Sequence, residues 1–177
     1  MTVDDTATCA WVLGQGIIGL LTTAILSRMP LGHLVAADRY CLRQERSRGI
    51  GAEACVDPTG GPHQFLEDVG LAMRKVDLVI ELSGTPEGLE LAIGIAALEG
   101  RIIVGSWYGT SPQGCRLGDE FHRQRLRIFS SQVSRISGDL SCRWSKERRA
   151  EITWKLIRQV SPSQLITHRF PVEKAED

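Results

Sequence analysis

Short, continuously apolar runs alternate along the chain with longer segments in which apolar residues recur every three or four positions. Runs of the first kind read as strands buried on both faces, and segments of the second kind as the helices that cover them. The first run, Ala7–Leu13 (ATCAWVL), ends on glycine. A helix is predicted over Gly16–Met29, with Pro30 as its stop signal. His33–Ala37 is a second buried strand ending at Asp38, Tyr40–Arg48 a polar helix closed by Gly49 and Gly51, and Ala54–Val56 a short third strand. Phe65–Arg74 suits a helix, and Val76–Leu82 a strand that runs into Ser83-Gly84. The strongest helix signal follows. Thr85 is placed as N-cap and Pro86 at the first helical position, while Leu89, Ile93, Ala96 and Ala97 share a face that ends at Gly100. Arg101–Gly105 is a fifth strand and Leu126–Ser131 a sixth. Lys146–Val160 reads as a last helix and Leu165–Phe170 as an extended piece.

Five strand–helix alternations in about 115 residues imply an α/β fold: a doubly wound, mostly parallel six-stranded sheet with helices on both faces. Residues 1–145 form the nucleotide-binding domain on this reading, and 146–177 a C-terminal helix and tail.

Composition narrows the class. With 42% hydrophobic and 24% charged residues, the 177-residue chain has enough apolar material for one core and is not intrinsically disordered. Its 18 glycines follow no triplet period, which excludes collagen. Five cysteines without a C-x-x-C pair imply reduced thiols and a cytoplasmic protein rather than a disulfide framework. The net charge of zero conceals an asymmetry: residues 116–158 hold 11 Lys/Arg against 5 Asp/Glu, while residues 1–115 hold 8 against 13. No aromatic interleaving accompanies the basic stretch, so it reads as a solvated face and not as a nucleic-acid surface. The uncharged run Thr6–Ser27 is long enough to span a bilayer. It nonetheless carries three glycines, a glutamine and four threonines, with Asp4 and Asp5 before it, and no membrane span is expected.

The candidate chemistry begins at Gly14-Gln15-Gly16-Ile17-Ile18-Gly19, a G-x-G-x-x-G pattern placed after a strand and at the opening of a helix. Gly14 suits the tight turn, Gly16 lets backbone N–H groups approach a pyrophosphate, and Gly19 lets the helix lie close to the strand. The helix N-terminus offers unpaired donors and a positive dipole end, with Ile17 and Ile18 in its first turn. Asp38 lies 19 residues after Gly19, where a carboxylate accepts the hydroxyls of an adenosine ribose and repels a 2′-phosphate. NAD is therefore expected over NADP, although Arg39 beside it would tolerate the phosphate. Leu82-Ser83-Gly84 and Val104-Gly105-Ser106 end the fourth and fifth strands, where small residues leave room for the nicotinamide ribose. Ordinary turn chemistry explains them equally well. Trp107-Tyr108-Gly109 either shapes the nicotinamide end or packs in the core. His122 and Arg123 offer a proton shuttle or a cofactor contact; without a nucleophile or metal beside them, a surface or packing role is the preferred reading.

The stretches VLGQGIIGLL, DRYCLRQERSRGIGAEACVD, DLVIELSG and GRIIVGSWYG resemble the cofactor-binding domain of the medium-chain, zinc-dependent alcohol dehydrogenase superfamily. LGDEFHRQRLRIFSSQVSRI and ITHRFPVEKAED look closest to its bacteriochlorophyllide hydroxyethyl dehydrogenase and polyol-dehydrogenase-like subgroup. The resemblance covers about residues 8–177. It implies a ribose contact for Arg43, a homodimer joined through the sixth strand Leu126–Ser131 with Cys115–Leu117 as a short neighbour, and a hydride transfer between nicotinamide and an alcohol or carbonyl in full-length relatives. The family's N-terminal catalytic domain has no counterpart here, so zinc is expected only in that absent domain. The five cysteines and the histidines His33, His63, His122 and His168 make no ligand set, and no residue is assigned as catalytic. The early stop after Ala175 leads to the expectation of a truncated chain or a cofactor-domain-only homologue. Whether the chain is an enzyme by itself stays open. A non-catalytic NAD-binding module and a methyltransferase on a similar sheet are the rival readings, the latter weakened by the complete glycine motif.

Overall fold

A computed structural model describes residues 8–68, 76–110 and 116–174. Two compact units divide at Arg135, residues 1–135 and 136–177.

The first unit is built on a six-stranded sheet. Its strands are β1 (Cys9–Leu13), β2 (His33–Ala37), β3 (Ala54–Val56), β4 (Val76–Glu81), β5 (Ala96–Val104) and β6 (Arg127–Ser130). Their spatial order is β3-β2-β1-β4-β5-β6, and every pairing is parallel. This is the doubly wound dinucleotide-binding order. It places β1 and β4 side by side at the centre, and the chain reverses its direction of travel between them.

Burial explains the apolar runs. Ala10, Trp11 and Val12 of β1 are wholly inaccessible, as are Val76 and Val79 of β4 and Ile102 of β5. Trp11 and Leu13 face one side of the sheet, with Val79, Leu91, Ile95 and Ile102; Ala10 and Val12 face the other, with Leu26 and Leu34. A central strand flanked on both faces cannot alternate polar and apolar residues, which is why these segments read as continuous runs.

The helices are α1 (Ile17–Leu26), α2 (Cys41–Gly49), α3 (Gly61–Asp68) and α4 (Pro86–Ile95). Thr85 caps α4 by accepting a hydrogen bond from the Gly88 N–H, as its position implies. Several ends differ from the pattern-based expectation. α1 stops at Leu26 and not Met29, because its last turn tightens: the Arg28 and Met29 N–H groups bond three residues back, to Ile25 and Leu26. α4 stops at Ile95, five residues before Gly100. Ala96 is extended, Glu99 takes a left-handed conformation (φ 58°), and its N–H bonds to the Gln124 carbonyl. α3 starts at Gly61, four residues before Phe65, behind a 3₁₀ turn at Pro58–Gly60 that Asp57 caps. Its expected end, Arg74, and the strand residues Ala7 and Cys115 lie outside the described residues. Leu117 belongs to a π-helical turn, Leu117–Phe121, and not to a strand. His122 and Arg123 are exposed beyond that turn, and Arg123 pairs with Asp119 at 3.3 Å.

In the second unit α5 spans Lys146–Val160, with Ser145 as N-cap accepting from the Arg148 N–H. The Glu147 carboxyl is held below its usual range by its own backbone N–H and by the Ser145 side chain. After α5, Pro162–Leu165 and Val172–Lys174 are 3₁₀ turns, so the expected extended piece carries no strand pairing. Among the described residues, no helix is long and apolar enough to cross a membrane.

Candidate functional site

The carboxyl ends of β1, β2 and β4 open into a cavity of about 590 Å³, lined by Gly14 and Gly16, by Asp38, Arg39, Tyr40 and Arg43, and by Leu82, Ser83 and Thr85. Volumes of a few hundred to about 1,000 Å³ suit a small-molecule ligand. Pro58 and Thr59 of the capped 3₁₀ turn add a wall that pattern reading did not anticipate.

Each glycine of the loop has a separate physical reason. Gly14 has φ +87°, and a Cβ there would sit 2.6 Å from the Leu82 carbonyl oxygen and the Ser83 Cα. Only glycine combines that φ with that closeness. A Cβ on Gly19 would lie 1.9 Å from the Gly14 carbonyl oxygen, so the helix is pressed on its own loop. Gly16 is different: no atom lies within 4 Å of its missing Cβ, and its φ of −65° is open to any residue. The space that Gly16 leaves clear is at the mouth of α1. No side chain caps that helix and no acidic residue occupies its first turn, so its N–H groups and dipole are available to an anion. Ile17 and Ile18 are exposed beside this opening, while Gly19 is buried.

Between the glycines, Gln15 is wholly buried. Its side-chain amide donates to the Val12 carbonyl at 3.0 Å and accepts from the Thr23 hydroxyl at 3.0 Å, which pins the loop to β1 and α1. Its backbone N–H donates to Asp38 Oδ2 at 2.7 Å. The motif treats this position as variable, so its role was not foreseen.

Asp38 is 6% exposed at the end of β2. Besides Gln15, the Tyr40 N–H donates to Oδ1 at 2.9 Å, and Arg43 Nη1 stands 3.5 Å from Oδ2. That Tyr40 bond also starts α2 one residue later than expected. The Arg43 guanidinium lies over the Tyr40 ring, 4.7 Å from its centroid. Two backbone donors hold the carboxylate rigid and leave acceptor lone pairs on it. On β3 beside it, burial pushes the Cys55 thiol above its ordinary range, offset partly by the Ser47 hydrogen bond and by Arg48. Cys55 therefore stays a thiol at neutral pH.

The far side of the loop is organised by Glu81, the last residue of β4, which is 0% exposed. The Ser83 N–H donates to its Oε1 at 2.7 Å, the Ser83 hydroxyl donates to the same oxygen, and the Tyr108 hydroxyl donates to Oε2. Ser106 Oγ accepts from the Gly84 N–H at 2.8 Å, tying the end of β5 to the end of β4. Thus Tyr108 is fastened inward, whereas Trp107 is 85% exposed and is not a core residue. Val104, Gly105 and Ser106 continue this side and do not line the cavity. Pattern reading passed over Glu81; the available signal was one acid ending an otherwise apolar strand.

No model of a known protein family matches the chain. A D-guloside 3-dehydrogenase of Escherichia coli K12 is 29% identical over 153 residues, which is 82% of this chain and 42% of that protein. Among solved structures, an alcohol dehydrogenase of E. coli CFT073 complexed with NADH superposes at a TM-score of 0.76, with 23% identity, over 97% of this chain and 47% of that one. A dehydrogenase of Sinorhizobium meliloti bound to NADP superposes at 0.67, with 23% identity, over 90% of this chain and 44% of that one. The dehydrogenases that the chain is similar to include a sorbitol dehydrogenase of Pongo abelii, 24% identical over 166 residues, which is 93% of this chain and 43% of that protein. The chain spans less than half the length of the curated relatives it matches. Its six-stranded parallel sheet shares the fold of these dehydrogenases. Among the described residues, no group of three or more His, Cys, Asp or Glu side chains is arranged to hold a metal ion.

Proposed function

We propose that this chain binds NAD and forms the cofactor half of a dehydrogenase that moves a hydride between nicotinamide and an alcohol or carbonyl. The observation that carries this reading is the placement of Asp38. Its carboxylate, held 2.7 Å from the Gln15 N–H, faces the same cavity as the open N-terminus of α1. A dinucleotide needs those two features together: an acceptor pair for ribose hydroxyls and an uncapped helix end for pyrophosphate.

On this proposal the N–H groups of Gly16, Ile17, Ile18 and Gly19 meet the pyrophosphate. The space cleared by Gly16 is the direct fit, since a side chain there would fill it. Asp38 takes the adenosine ribose, with Arg43 and Arg39 flanking, and its negative charge favours NAD over NADP. Leu82, Ser83, Gly84, Val104, Gly105 and Ser106 bound the nicotinamide side. Nicotinamide supplies the redox chemistry when bound; the chain supplies position and electrostatics. We assign no catalytic residue and no metal to this chain. The thiols of Cys41, Cys55 and Cys142, none in a disulfide, fit a cytoplasmic protein. Titration calorimetry with NADH is the test: saturable one-to-one binding is expected, and no heat at millimolar ligand would overturn the reading. A non-catalytic NAD-binding module would bind equally well and show no turnover with any alcohol.

We also propose a homodimer through β6. That strand lies at the sheet's edge and is shorter than the expected Leu126–Ser131, with Leu126 and Ser131 outside it. The Ser131 N–H bonds to the Val104 carbonyl. By the alternation of a strand, the Phe129 N–H points the same way, and those of Ile128 and Ser130 point to the open edge. A two-fold copy of that edge satisfies both sets of donors at once. Ile128→Pro removes an outward donor and leaves the pairing with β5 intact. Sedimentation velocity at micromolar concentration should give a dimer for the wild type and a monomer for this variant. A monomeric wild type, or a dimer indifferent to the proline, would contradict the edge contact.

A further inference from the structure

Glu81 has a cost that the packing of the sheet does not explain. A wholly buried carboxylate at the end of a central strand loses its hydration, and among the described residues no cation pairs with it. An apolar residue there would avoid the penalty. What the carboxylate gains is a directed set of hydrogen bonds. The Gly88 N–H donates to Thr85 Oγ1 at 3.2 Å, Thr85 Oγ1 lies 3.2 Å from Ser83 Oγ, and the Ser83 hydroxyl donates to Glu81 Oε1. The chain runs from the first turn of α4 through the β4–α4 turn and ends on Glu81. From the opposite side, the Tyr108 hydroxyl donates to Oε2 and draws in the segment that leaves β5.

We infer that Glu81 is a positioning residue for the nicotinamide half of the dinucleotide. The inference rests on the proposed NAD binding. Its two oxygens join the segments after β4 and β5: the first lines the cavity with Leu82, Ser83 and Thr85, and the second backs it through the bond between Ser106 and Gly84. A dinucleotide with its adenosine ribose on Asp38 and its pyrophosphate on α1 must carry its second nucleoside past Ser83, Gly84 and Ser106. Three donors to one carboxylate hold that floor in one arrangement before the ligand arrives, so less ordering has to accompany binding. The adenosine ribose does not meet this network, because Asp38 is held by the Gln15 and Tyr40 N–H groups and Arg43 stands beside Asp38.

The test compares NADH with ADP, the adenosine half alone, by calorimetry on the full chain. Glu81→Gln keeps the shape and removes the charge; Tyr108→Phe keeps the carboxylate and removes one donor. Both variants should weaken NADH by about tenfold, because the second nucleoside then has to order segments that the network otherwise holds in the free chain, and change ADP affinity by less than about twofold. Tyr108→Phe is the safeguard against misfolding, since it leaves the buried acid and its Ser83 contacts in place. Equal losses for NADH and ADP, or no loss for NADH, would overturn the positioning role and leave NAD binding intact. A wild-type chain that binds neither ligand would remove both.

Discussion

Gly16→Val leaves the chain folded and weakens NADH binding by about tenfold to a hundredfold, whereas Gly19→Ala damages the fold itself. The two substitutions lie three residues apart in one motif and separate its structural part from its binding part. The Gly16 Cβ position is empty to 4 Å and its backbone is in an ordinary region, so valine fits without strain. The branched side chain then occupies the approach to the N–H groups of α1, and losing one hydrogen bond to charged phosphate costs about 1.5–3 kcal/mol. At Gly19 even a methyl group meets the Gly14 carbonyl oxygen at 1.9 Å. Relief requires the backbone of α1 to move off β1, with an overpacking cost of about 1–3 kcal/mol or more out of a typical 5–15. Denaturant midpoints for both variants, together with NADH titration of Gly16→Val, check the pair. A Gly16→Val chain that binds like wild type would place the pyrophosphate elsewhere.

Asp38→Ala carries the second large effect, on affinity and on the choice between NADH and NADPH. Loss of the charged acceptor should weaken NADH by about tenfold or more, from a contact of about 1.5–3 kcal/mol. NADPH should be weakened less or strengthened, because the repulsion on its 2′-phosphate disappears while Arg39 and Arg43 stay beside the site. The same variant orphans the Gln15 and Tyr40 N–H groups, so a lower denaturation midpoint is expected as well. Asp38→Asn, which keeps an acceptor and drops the charge, distinguishes the two consequences. Equal NADH affinities in the wild type and both variants would remove Asp38 from the ribose.

The sheet and its order were legible because β1, β2 and β4 are buried on both faces and leave runs that little else produces. That the glycine loop and Asp38 meet at one cavity was legible for a related reason: their placement depends on local geometry, one turn, one helix end and one strand end. Element ends were harder. α4 could not be seen to stop at Ile95, since the left-handed Glu99 is held by the Gln124 carbonyl from a distant part of the chain. Glu99 also pairs with Arg125 at 3.2 Å, a contact no local pattern contains. The same limit hid Glu81, which acquires its meaning only when folding brings Tyr108 against it. Gln15 escaped notice because the motif specifies glycines and treats the residue between them as free. Trp107 shows the converse. An aromatic beside a buried strand invites a core assignment, yet it stands in solvent while its neighbour Tyr108 turns inward.

Amide chemical shifts during an NADH titration test the central claim most directly, because they locate the ligand as well as detect it. If the dinucleotide lies across the β1–α1 loop, the N–H resonances of Gly16, Ile17, Ile18 and Gly19 move most, with Gln15 and Tyr40 shifting through their bonds to Asp38. Large shifts confined to β6, the turn at Leu117–Phe121 or α5, with the loop amides unmoved, would contradict it.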